Sequence, residues 1–66
     1  MQIELNGQPR EIADGLTVDA LILSITGSTR GSAAVVDGEV VPRSAWRTTA
    51  LHEGQSVELI TAVQGG

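Results

Sequence analysis

The sequence has no cysteine, no lysine, no phenylalanine and no tyrosine, and only one tryptophan and one histidine. Without cysteine there is no disulfide to staple the fold and no thiolate to bind a metal. Any sulfur the chain carries must therefore sit somewhere other than on a side-chain thiol. Without lysine, a modifier that builds chains on itself through isopeptide bonds is excluded, and no phosphate-binding G-x-x-x-x-G-K-[ST] loop can be completed. Four arginines face eight acidic residues, for a net charge of −4. That balance argues against nucleic acid, which demands a basic face, and suits docking on a basic protein surface. Apolar runs such as Ala20-Leu21-Ile22-Leu23 are too short to span a bilayer. The opening Met1-Gln2-Ile3-Glu4-Leu5 has neither the basic region nor the continuous apolar region of a secretory leader. No membrane is expected as a partner, and a cytoplasmic location is expected.

What is present describes one small domain, since 66 residues leave no room for a second and bury only about 60% of the unfolded surface. Met1, Ile3 and Leu5 alternate with polar residues, the period of a half-buried strand. Asn6-Gly7 suits a type I′ turn, and Gln8 to Ile12 returns antiparallel, with Pro9 placing this second strand on an edge. A helix follows Ala13-Asp14-Gly15. Thr17 is its N-cap, Asp19 lies in the first turn, and Leu16 and Leu21 form a hydrophobic staple. Val18, Leu21, Ile22 and Ile25 make one apolar stripe, and Gly27 ends the helix. Its β-branched residues lower intrinsic propensity, so the helix depends on packing over a sheet.

Ser28 to Ser32 reads as a polar, flexible connection. Two further strands, Ala33 to Val36 and Glu39 to Val41, flank Asp37-Gly38, a second hairpin signal. Pro42 stops the second of them, and Ser44 is positioned to cap a short 3₁₀ turn through Trp46. Glu53-Gly54 turns into the longest strand, Ser56 to Val63, with Val57, Leu59, Thr61 and Val63 on one face and Glu58, Ile60, Ala62 and Gln64 on the other. The order β-β-α-β-β-β gives an α+β domain with one helix across a mixed sheet. It matches a β-grasp, ubiquitin-like architecture while leaving other small α+β folds open. The expected organisation is a β-grasp domain over 1–63 and a flexible Gly-Gly tail over 64–66.

Side-chain chemistry is sparse. His52 has no cysteine or second ligand near it in sequence and reads as an exposed turn residue, so no metal site is expected. The serines and threonines lack a neighbouring base at a telling spacing. Asp37 and Glu39 read as solvated turn charges rather than a general acid and base. Trp46, the sole aromatic, plugs the open end of a small core or serves as a binding platform, the former being favoured. Arg43 either contacts a partner or joins a surface ion pair. No catalytic constellation emerges, so an enzyme is not expected.

The final residues differ. Gly65-Gly66 lacks any Cβ, so its backbone can enter channels that a side chain would block. Residues 64–66 can extend about 10 Å, enough to push a terminal carboxylate into another protein's nucleotide pocket. A carboxylate is a poor acyl donor, but an ATP-dependent enzyme can convert it to an acyl adenylate with a good leaving group. A sulfur donor attacking that adenylate gives a terminal thiocarboxylate. The Gly66 carboxylate is accordingly the expected reactive group, with Gly65 and Gln64 extending behind it.

The chain resembles the ThiS family, the sulfur carriers of thiamine thiazole biosynthesis, over essentially its whole length. The resemblance is carried by Met1-Gln2-Ile3 with Asn6, by Gly15-Leu16-Thr17-Val18 with Leu21, and by Val40-Val41-Pro42-Arg43 with Trp46. It continues through Leu51-His52-Glu53-Gly54-Gln55 to Gly65-Gly66. Asp37-Gly38 departs from the Asn frequent in the family, though both residues suit a tight turn. The resemblance implies a β-grasp protein that is substrate and carrier, not catalyst, and binds no cofactor of its own. It implies adenylation of Gly66 by a ThiF-like enzyme that consumes ATP, conversion to the thiocarboxylate (1-thioglycine), and delivery of sulfur to a ThiG-like thiazole synthase. Ile60 and Ala62, on the outer face of the last strand, are candidates for the docking surface. The alternative for Ile60 is that the domain's own loops cover it. Three other functions compete: a molybdopterin-synthase-type carrier subunit, a ubiquitin-like modifier detectable by isopeptide conjugates through Gly66, and a passive β-grasp interaction module indifferent to loss of Gly65 and Gly66.

Overall fold

In the computed structural model the described residues are 1–61. The elements run β1 (Gln2–Leu5), β2 (Gln8–Glu11), α1 (Val18–Thr26), β3 (Ser32–Val36), β4 (Glu39–Val41), a 3₁₀ turn (Arg43–Ala45) and β5 (Ser56–Thr61). The expected extension of the last strand to Val63, and the candidates Ala62, Gln64, Gly65 and Gly66, lie outside the described residues.

Both tight turns form as their sequences dictate. Asn6 and Gly7 have φ of 50° and 82°, and Asp37 and Gly38 have φ of 50° and 84°. Positive φ at both central positions is the type I′ requirement, and its twist matches the flanking strands. Each turn spans two residues, with Leu5 opposite Gln8 and Val36 opposite Glu39. The hairpins join through β5, giving the sheet order β2-β1-β5-β3-β4. β5 runs parallel to β1 and antiparallel to β3, so the sheet is mixed and its last strand is its centre. This is the expected β-grasp arrangement.

The helix is satisfied at both ends by groups the sequence supplies. Thr17 Oγ1 accepts from the Ala20 amide at 3.2 Å. Thr49 O and Trp46 O accept from the Val18 and Asp19 amides at 3.0 and 3.2 Å. With Leu21 N–H bonded to Thr17 O at 2.9 Å, every orphan donor of the first turn has a partner. Gly27, left-handed at φ 78°, donates to Leu23 O and closes the other end. Val18, Leu21 and Ile22 are fully buried against Ile3, Leu51 and Val57, and Leu16 packs beside them.

Three local expectations need correction. Ile25 leaves the apolar stripe and is 40% exposed. The buried core takes Val18, Leu21 and Ile22 of α1 and does not reach Ile25. Ser44 sits inside the 3₁₀ turn, whose N-cap is Pro42, and makes no capping bond. The 28–31 connection is tied rather than loose: Arg43 Nη2 donates to Thr29 O at 2.6 Å, and Arg30 N–H donates to Ser28 Oγ at 3.1 Å.

Candidate functional site

Because β5 is the central strand, it is flanked by β1 on one side and β3 on the other. On the β3 side, Ala33 stands opposite Ile60 and Ser32 opposite Thr61. On the β1 side the backbone ladder stops early: Glu4 N–H bonds to Gln55 O at 2.9 Å and Asn6 N–H to Val57 O at 2.8 Å, after which β1 turns away at Gly7. The Asn6 side chain then takes over. Its Oδ1 accepts from Leu59 N–H at 2.9 Å, and its Nδ2 donates to Leu59 O at 3.4 Å.

Alternation sends Val57 and Leu59 towards the helix and Glu58 and Ile60 to the opposite face. Ile60 is 59% exposed, so the described part of the domain leaves it open and does not cover it with loops. Registry places Ala33 and Val35 of β3 on the same outer face, and Val40 of β4, opposite Val35, continues it. Val40 is 71% exposed. Ile60, Ala33, Val35 and Val40 thus form an apolar strip across three strands, interrupted by Glu58. Ala62, the other sequence candidate for this face, lies outside the described residues, as do Gln64, Gly65 and Gly66. Val40 was not singled out as a site residue. The period of Glu39-Val40-Val41 carries the signal, because Val41 packs against the core and the intervening Val40 must then face outward.

The remaining candidates are structural. Trp46 is 3% exposed and closes the core, with Nε1 donating to Val41 O at 2.8 Å. Arg43 joins no surface ion pair among the described residues. Its guanidinium lies 5.6 Å from the Trp46 ring centroid while it holds Thr29. His52 is exposed, and its amide donates to Gln55 Oε1. Asp37 is more than a solvated charge: Oδ1 accepts from Ser56 N–H at 2.9 Å and Oδ2 from Gln55 Nε2 at 3.0 Å. A depression of about 220 Å³, lined by Gln2, Ile3, Glu4, Pro9, Glu53 and Gly54, lies at the entry end of β5 and gathers no nucleophile and base. Among the described residues no three His, Asp or Glu side chains cluster to hold a metal, and no helix is long and apolar enough to cross a membrane.

The described residues carry an exposed apolar strip beside the last described residues of β5. Known proteins share the fold. A crystal structure of the thiamine biosynthesis protein ThiS from Geobacter metallireducens superposes with a TM-score of 0.76 at 28% identity, over all of both chains. A solution structure of a thiamine biosynthesis protein from the same organism gives 0.83 at 28% identity, over all of this chain and 88% of that one. The sulfur carrier protein ThiS of Escherichia coli (strain K12) is 30% identical over 66 residues, the whole of both chains. A thiazole synthase of Paramagnetospirillum magneticum is 29% identical over 66 residues, where this chain spans only 20% of that protein's length. The ThiS family model matches residues 3–66. The chain therefore belongs to the ThiS family.

Proposed function

We propose that this protein is a sulfur carrier for assembly of the thiamine thiazole ring, acting in the cytosol, and that Gly66 bears the sulfur. The observation that carries the reading is the 30% identity, over the whole of both chains, to a protein named as the sulfur carrier ThiS. The absence of cysteine from the sequence supports it by leaving no side-chain thiol for the cargo.

In the proposed cycle a ThiF-like enzyme brings ATP to the Gly66 carboxylate. A carboxylate oxygen attacks the α-phosphorus, pyrophosphate leaves, and an acyl adenylate forms. A sulfide-level donor then attacks the acyl carbon: the C–S bond forms, the bond from that carbon to the phosphate oxygen breaks, and AMP departs with the electron pair. The product is a thiocarboxylate, a soft nucleophile that gives its sulfur to a ThiG-like thiazole synthase. The relative from Paramagnetospirillum magneticum supports that partner, since a segment similar to this chain forms 20% of a protein named thiazole synthase. The protein binds no cofactor of its own in this cycle, and ATP is consumed by the activating enzyme. Ile60 and Ala62 dock that enzyme, with Val40 and Ala33 extending the contact across β4 and β3. An apolar centre with acidic neighbours such as Glu58 suits a partner surface with an apolar patch and a basic rim.

Intact-mass analysis after incubation with a ThiF-like enzyme, ATP and a sulfur source tests the reading. The expected result is exchange of one oxygen for one sulfur at Gly66, located by fragmentation. An unmodified C-terminus in the presence of a demonstrably active enzyme overturns it.

A further inference from the structure

Asn6 does something its turn does not require. A type I′ turn asks Asn6 only for positive φ, which glycine or aspartate also supplies. The Asn6 carboxamide instead meets both backbone polar groups of Leu59, accepting at 2.9 Å and donating at 3.4 Å. A primary amide has the donor and acceptor of a peptide unit, so this side chain stands in for the strand residue that β1 would supply had it not turned back at Gly7. Leu59 sits two residues before the end of the described β5. Among the described residues the Asn6 amide is the last hydrogen-bonding group on the β1 side of β5. Beyond it, β5 is held only from the β3 side, at Ile60 and Thr61.

We propose that Asn6 is a positioning residue for modification of Gly66. By pinning Leu59 on the side that β1 leaves bare, it fixes the last described residues of β5 beside the docking strip at Ile60, and so sets the base from which the chain continues to Gly66. This rests on the sulfur-carrier reading above. Partner docking through the outer face does not need Asn6, but delivery of the carboxylate to a narrow site does. A small misplacement of a reacting group lowers turnover of the bound complex more than it lowers binding.

The test uses the full chain with Asn6→Gly, which keeps the positive-φ turn and removes the amide, and with Asn6→Asp, which keeps the acceptor for Leu59 N–H and loses the donor. Amide hydrogen exchange by NMR is read at Leu59 and Ile60, with Leu51 as a core reference. Steady-state adenylation is read with a ThiF-like enzyme. In Asn6→Gly, exchange at Leu59 rises about tenfold or more while Leu51 is unchanged, as loss of a local clamp without global unfolding demands. Adenylation kcat falls about tenfold with KM within about twofold, and Asn6→Asp falls between wild type and Asn6→Gly on both readouts. Wild-type exchange at Leu59 in Asn6→Gly, or a wild-type kcat, overturns the proposal. A wild-type chain that the active enzyme leaves unmodified overturns the sulfur-carrier reading and the presentation role with it. That outcome is distinct from failure confined to the variants.

Discussion

The Asn6-Gly7 and Asp37-Gly38 turns have nearly the same backbone, and both send a side chain back to the same strand, three residues apart. Asp37 meets β5 where it enters the sheet, at Ser56, and Asn6 meets it towards the end of its described span, the exit side, at Leu59. What each turn faces differs. At the entry only donors point at Asp37, the Ser56 amide and the Gln55 carboxamide, and a carboxylate with two acceptor oxygens satisfies both. At the exit a donor and an acceptor of one residue point at Asn6, and only an amide answers both. Gln55 extends the entry latch by accepting from His52 N–H at 2.8 Å, so the 52–56 segment and the β3–β4 turn are held as a unit. The exit has one amide and an exposed isoleucine. On the proposal made above, the entry end of β5 serves stability and the exit end presentation, so substitutions at the two ends should separate into losses of stability and losses of function.

The largest expected effect lies at the exit. Removing Gly65 and Gly66 abolishes thiocarboxylate formation altogether, while the circular dichroism spectrum and the thermal midpoint stay at their wild-type values. A shift of the midpoint by more than a few degrees would join the two ends that the comparison separates. Next comes Ile60→Glu. Its side chain is largely exposed, so stability should change by no more than about 0.5 kcal/mol. A charge placed in the apolar strip should raise the KM for adenylation about tenfold or more, read by pyrophosphate exchange. An unchanged KM would remove the outer face from docking.

At the entry the expectation reverses. Asp37→Ala leaves two donors without their acceptor and puts a Cβ without side-chain compensation at φ 50°. It should cost about 1–2 kcal/mol in urea denaturation, with kcat for modification unchanged in the folded fraction. Asp37→Asn should cost less, because an amide keeps the Ser56 contact and tolerates positive φ. If Asp37→Asn cost as much as Asp37→Ala, the second acceptor would matter more than the turn.

Much of this was legible in the sequence, and what was not has a common cause. Asn6-Gly7, Asp37-Gly38, the Thr17 cap and Gly27 declare local structure because their chemistry acts within a few residues. Strand alternation put Ile60 on the outer face for the same reason. Asn6 with Leu59 spans 53 residues, and Asp37 with Ser56 spans 19, so neither contact leaves a trace in spacing. Asp37 looked like a solvated charge because nothing in its neighbourhood of sequence says that a strand start lies beside it. Ile25 failed in the other direction. Its helical period was right, but exposure depends on how far the core beneath the helix reaches, and spacing within the helix does not carry that. Val40 was readable once Val41 was assigned to the core, since one alternation step separates them.

A third tie, at the far end of β1, should have the smallest effect and sharpens the contrast by being electrostatic. The Met1 ammonium donates to Ile12 O at 2.8 Å and pairs with Glu11 at 3.1 Å and Asp14 at 3.2 Å. The hydrogen bonds with Glu11 and then Asp14 raise its pKa above the ordinary 8.0, against a lowering by burial. A raised folded value means the charged form is favoured by folding. Its contribution is therefore fully present below about pH 8 and is lost as pH rises through the raised value, with stability declining on the alkaline side only. The pairs are exposed, so the decline is small and shrinks further in high salt. Replacing both carboxylates, as Glu11→Gln with Asp14→Asn, should flatten the alkaline slope of the thermal midpoint and leave exchange at Leu59 unchanged. If instead Leu59 exchanged faster, the hairpin would be transmitting the loss along β1 to Asn6, and the exit of β5 would depend on both ends of its neighbour.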